Sequence, residues 1–152
     1  MERGVFRGVD RRAEATWEGD LLSGKGVLTA ATTQLFKDLP VSWASRIDAP
    51  SRRTSPEELL AASHASSYSM ALSHGLAQGG NPAQRLDVTA TVTFDRVGDG
   101  WGVTKSALTV KGRVAGIDAE KFRAAAEAAK DGCPISRALK GNVELSVQAT
   151  LE

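Results

Sequence analysis

The chain has 152 residues, 19 basic against 18 acidic, for a net charge of +1. That balance leaves no electrostatic footprint for nucleic acid or an anionic membrane, and no run approaches the roughly 18 apolar residues of a membrane span. A single cysteine excludes an intramolecular disulfide. The length is that of one ordinary domain, expected to occupy residues 1–152. Met1-Glu-Arg-Gly-Val-Phe-Arg lacks the apolar region of a secretory signal, so a cytoplasmic protein is expected.

Strand-like alternation opens the chain at Arg12-Ala-Glu-Ala-Thr-Trp17, and residues 20–26 read as a loop. Short strands are expected at residues 26–30 and 41–47, followed by a connection over residues 48–54. The first helix signal is strong: Ser55 as N-cap, Pro56 at the first helical position and Glu58 three residues after the cap. Leu59, Ala62, Ala65/Ser66, Ser69/Met70 and Leu72/Ser73 follow at three-to-four spacing, and Gly79-Gly-Asn-Pro82 ends the helix. Its composition is largely Ala and Ser, which suits a central helix packed closely on several sides.

A hairpin follows. Residues 86–97 alternate, Gly98-Asp-Gly100 turns the chain, and residues 101–111 return. Asp118 caps a second helix over residues 119–131, ended by Gly132, a short helix starts at Pro134, and residues 142–151 close the chain as a strand. The order β-β-β-α-β-β-α-α-β reads as α+β, with antiparallel sheets and two main helices. One Ala/Ser-rich helix is hard to cover in so small a monomer, so a partner copy is the expected source of cover.

Cys133 stands immediately before Pro134, at the N-cap of the short helix. A lone cysteine is most often an inert buried hydrophobe, but a cap position favours the thiolate. His64 and His74 lie ten residues apart on one helix, too far to share a metal ion, and with one cysteine no zinc ligand set exists. His64 reads as a packing or hydrogen-bonding residue and His74 as a surface one. No metal or cofactor is expected. Ser67 has neither a Gly-x-Ser-x-Gly elbow nor a triad-like set around it, so serine hydrolase chemistry is improbable.

Two segments together carry a resemblance. Thr54-Ser-Pro-Glu-Glu-Leu-Leu-Ala-Ala-Ser-His-Ala-Ser-Ser-Tyr-Ser-Met-Ala-Leu and Gly132-Cys-Pro-Ile-Ser-Arg-Ala-Leu139 resemble the two motifs of the OsmC/Ohr family of thiol-dependent hydroperoxide reductases. Trp17-Glu-Gly-Asp20, Gly24-Lys-Gly26 and Gly116-Ile-Asp118 are similar as well, so the resemblance covers most of the chain. It implies an intertwined homodimer with the Ala/Ser-rich helix at its centre. It also implies a peroxidase that reduces organic hydroperoxides to alcohols in antioxidant defence, recharged by a dithiol such as one of lipoyl type. Cys133 would be the resolving cysteine. Arg46, from the strand before the helix, would hold the attacking thiolate and orient the peroxide, and Glu57 would hold Arg46.

The departure falls at the attacking position, where Ser67 replaces the peroxidatic cysteine. A hydroxyl is not held as the anion near neutral pH and forms no stable equivalent of a sulfenic acid. The chain as written is therefore expected to be nearly inactive. Either a thiol has been removed to trap the reduced form, or this is a divergent member that binds peroxides or other small apolar ligands without reducing them. A non-catalytic ligand-binding or structural homodimer with an inert Cys133 is the alternative from a different class. On a straight helix from Pro56, Glu57 lies about 15 Å from position 67 at about 1.5 Å per residue, so Glu57 and Arg46 are expected to act across the dimer.

Overall fold

The computed structural model describes residues 4–152; the first three residues of the N-terminal reading lie outside them. Two compact units divide the chain, one ending at Ser55 and one spanning Pro56–Glu152.

The first unit is a three-stranded antiparallel sheet in the order β1 (Glu14–Glu18), β2 (Lys25–Thr29), β3 (Leu39–Val41). Asp20 closes the β1–β2 loop, its Oδ1 accepting from the Ser23 N–H at 2.7 Å and from the Ser23 hydroxyl at 2.6 Å. The strand expected over residues 41–47 stops at Val41, and a one-turn helix α1 (Ala44–Ile47) takes its place. Ser42 Oγ accepts from the Ser45 N–H at 3.1 Å while Ser45 Oγ accepts from the Ser42 N–H at 3.0 Å. This reciprocal pair is a capping box, and it favours a helical turn over the alternating pattern. Arg46 therefore sits in the last turn of a short helix and not on a strand.

The second unit is built on helix α2 (Pro56–Gln78), unbroken for 23 residues. Its buried residues beyond the first turn are His64, Tyr68, Leu72 and Leu76, one i, i+4 stripe. Of the expected stripe, Ala62 is exposed and Leu59, Ala65 and Ser69 are half-buried; only Leu72 is buried. Small residues dilute the hydrophobic period, so the real core face is marked by its few large side chains. Ser66, Ser73 and Met70, also expected on that stripe, are exposed, Met70 at 71%.

Strands β4 (Ala83–Val97) and β5 (Gly100–Val114) pair antiparallel through a two-residue loop. Gly98 has φ +59° there, at the position a type II′ turn reserves for glycine. The chain then runs through α3 (Ala119–Gly132) and α4 (Pro134–Leu139) to β6 (Glu144–Leu151). That strand pairs parallel to β5, so this sheet is mixed where an antiparallel one was expected. Two intervening helices make the crossover long enough for a parallel return.

The inward row of β5 is Ser106, Leu108, Val110, Gly112 and Val114. With α2 and α3 it forms the core, in which Phe122 and Ala126 are fully buried and the Tyr68 hydroxyl donates to the Ala126 carbonyl at 2.9 Å. Gly112 is where Phe122 needs space: a Cβ there would press on the ring, 2.6 Å from Cε2 and closer still to Cζ. Gly112→Ala is therefore expected to destabilise the fold by about 1–3 kcal/mol, the ordinary cost of overpacking, read as a lowered urea midpoint.

Candidate active site

Ser67 and Cys133, 66 positions apart, converge. Cys133 is fully buried, and its Sγ lies 3.3 Å from Ser67 Oγ, within hydrogen-bond reach for sulfur. The local sequence explains the placement. Cys133 is at once the C-cap of α3 and the N-cap of α4, with extended backbone (φ −61°, ψ 127°) and Pro134 behind it at the first helical position. No linker separates the two helices, so the sulfur is held where α3 and α4 both meet α2.

The thiol's acidity reflects opposing effects. Burial pushes it up; hydrogen bonds from the Ser67 hydroxyl, from the backbone and hydroxyl of Ser136 and from the Ile135 N–H pull it down. The hydrogen bonds win, and Cys133 is held below the ordinary thiol value. No side-chain bond of regular capping geometry forms at Cys133, so the amide contribution comes from N–H groups facing the sulfur at the helix start.

His64, also fully buried, lies between two hydroxyls: Nδ1 is 2.6 Å from Ser106 Oγ and Nε2 is 2.7 Å from Ser136 Oγ. Burial lowers its pKa, so the ring rests neutral near pH 7. Its expected role as a hydrogen-bonding residue agrees with this geometry, and His74 is exposed as expected.

Arg46 is half-buried on α1 of the first unit. Glu57 is buried in the first turn of α2. Ten residues of unbroken helix separate Glu57 from Ser67 (67 − 57), about 15 Å along the axis, so the two are not brought together within one chain. Among the described residues no three His, Cys, Asp or Glu side chains group as metal ligands would.

Ser106 and Ser136 were not among the expected site residues, although both left a trace in the sequence. Ser106 is the polar residue in an otherwise apolar inward row of β5, and Ser136 stands three positions after the Cys133 cap, the spacing of a capping box.

Residues 49–148 match the family model described as OsmC-like protein. The chain belongs to the OsmC-like family. Among curated relatives of this OsmC-like chain, Peroxiredoxin OsmC of Escherichia coli (strain K12) is 38% identical over 140 residues, covering 92% of this chain and 96% of that protein. An organic hydroperoxide resistance protein from Elizabethkingia anophelis, solved with thiocyanate bound, matches with a TM-score of 0.73 at 20% identity, over 97% of this chain and 100% of that one. The organic hydroperoxide resistance protein OhrB of Bacillus subtilis matches with a TM-score of 0.67 at 23% identity, over 91% and 98%. At these identities the solved structures speak for the fold alone.

Proposed function

We propose that this chain is built as an organic hydroperoxide reductase with a two-cysteine mechanism, and that Ser67 holds it in a nearly inactive form. The observation that carries the reading is the 3.3 Å contact between Cys133 Sγ and Ser67 Oγ. A thiolate at position 67 would attack the distal peroxide oxygen and become a sulfenic acid as the O–O bond breaks, the departing alkoxide taking a proton from solvent to leave as the alcohol. The Cys133 thiolate would then attack that sulfur, expel water with the incoming proton and leave a disulfide for an external dithiol, such as one of lipoyl type, to reduce. Ser67 admits none of these steps. The deciding experiment is whether Ser67→Cys turns over an alkyl hydroperoxide with a dithiol donor. Failure would favour the alternative, a non-catalytic homodimer that binds small apolar ligands.

The working unit in this proposal is a cytoplasmic homodimer. Its support is the open face of α2, where Ser66, Met70 and Ser73 are exposed, opposite the stripe of large buried side chains. A central-helix dimer would cover that face and bury on the order of 2,000 Å² or more, as obligate dimers do. Sedimentation is expected to show a dimer at micromolar concentration; a stable monomer there would remove the proposal. Across such a dimer, Arg46 is assigned the task of holding the thiolate and peroxide at the partner's position 67, and Glu57 that of holding Arg46.

A further inference from the structure

The chemistry just set out makes no use of His64, yet the ring is fully buried with a hydroxyl on each nitrogen. Burying an imidazole without partners is costly, and here a neutral ring, with one donor and one acceptor, ties two other elements to α2. Nδ1 meets Ser106 on the inward row of β5, and Nε2 meets Ser136 on α4. His64 stands three residues before Ser67 on α2 (67 − 64), and Ser136 three after Cys133 at the start of α4 (136 − 133). Three residues along a helix is the neighbouring turn of one face, so α2 and α4 meet through two adjacent rungs. One is His64 Nε2–Ser136 Oγ at 2.7 Å, the other Ser67 Oγ–Cys133 Sγ at 3.3 Å. The Arg137 N–H donates to the Cys133 carbonyl at 3.0 Å. That bond closes the turn carrying both Cys133 and Ser136, so the two move together. With six residues α4 is too short to hold its own place, and its position depends on what it docks against.

We propose that His64 is the positioning residue for Cys133: through its bond to Ser136 it holds α4 in register on α2, so that the sulfur faces position 67 in every redox state of the site. The inference rests on the reading that position 67 and Cys133 exchange a disulfide. In that exchange the 67–133 rung changes repeatedly, from van der Waals separation to an S–S bond of about 2.05 Å and back. The 64–136 rung contains no redox-active atom and persists through the whole cycle. Its anchor is the second ring nitrogen, which Ser106 fixes to the sheet. The value of such a rung lies in the interval after the first oxidation. A sulfenic acid at position 67 either condenses with a thiol already in place or oxidises further to a sulfinic acid, and α4 held in register favours condensation.

The test uses the full chain carrying Ser67→Cys, equilibrated at pH 7 with mixtures of reduced and oxidised glutathione. One glutathione disulfide oxidises the 67–133 pair and leaves two glutathione thiols, so the ratio at which half the chains are cross-linked gives the effective concentration of one sulfur at the other. Ser136→Ala, which cuts the rung, is expected to lower the equilibrium constant for closure by about tenfold, or about 30 mV in potential. Ser106→Ala removes a hydrogen bond from the same ring but leaves the 64–136 rung, and should keep the constant close to that of the parent. The two serine variants each lose one buried hydroxyl, so a purely structural role would move both alike. Equal shifts in the two, or none in either, overturn the proposal. His64→Phe cuts the rung from the other side and should match Ser136→Ala; if Ser136→Ala fails to fold, its comparison with Ser106→Ala decides in the same way. No peroxide enters these measurements. A chain that closes its disulfide with this dependence on Ser136 and consumes no peroxide would sink the peroxidase reading alone. A chain that turns over peroxide while both serine variants close equally well would sink the positioning role alone.

Discussion

Ser67→Cys is expected to raise turnover of an alkyl hydroperoxide, with a dithiol as donor, by several orders of magnitude over the chain as written. Removing the nucleophile from an otherwise assembled site costs on the order of 10⁶-fold where it has been measured in a hydrolase, and restoring it should recover much of such a loss. The substitution exchanges an oxygen for a sulfur at a half-buried position already 3.3 Å from Cys133, so little repacking stands in the way. A steady-state peroxide assay checks the gain. Adding Cys133→Ala should permit at most a first oxidation and then stall, because the sulfenic acid has no second thiol to condense with. A Ser67→Cys chain that folds, forms the disulfide on mild oxidation and still consumes no peroxide would point to the ligand-binding alternative.

The second large effect concerns Glu57. Since α2 starts at Pro56 and continues unbroken past Ser67, Glu57 does not reach position 67 of its own chain, and the proposed site is shared between subunits. Chains carrying Ser67→Cys with Glu57→Ala are expected to be dead, as are chains with Ser67 and Glu57 unchanged. Mixed and allowed to exchange, they should regain about one working site per heterodimer, since the symmetry of the pair places one intact Glu57 opposite one cysteine. Activity of the mixture against the separate parents is the measurement. No recovery after verified exchange would rule out the shared site and place the role of Glu57 within its own subunit.

Much of this was legible from residue patterns, for physical reasons that differ from element to element. Pro56 and Asp118 marked helix starts because capping chemistry is local. The β4–β5 hairpin was legible because alternation and a glycine turn coincide. The turn at Ala44–Ile47 was missed because two serines three apart cap as well as a Ser–Glu pair, while the intervening Trp-Ala pattern suggests a strand. The direction of β6 was hidden, since strand periodicity is the same whichever way the neighbour runs. At the site, Cys133 was visible from its proline, whereas Ser106 acquires meaning only once His64 is packed against it from another element.

The parallel pairing of β6 also has a consequence in time. Lys105 meets Glu144 in that pairing, 39 positions later (144 − 105), and contacts of such separation close late in folding because loop-closure entropy opposes them. Cys133 lies inside the loop that this pairing closes, and position 67 lies before it. A nascent chain emerging in order would present position 67 before the helix that carries its partner sulfur exists. With a cysteine there, the interval of synthesis would be the most dangerous in the life of the molecule, since a sulfenic acid formed then could only oxidise further. A serine at position 67 is exempt from that hazard.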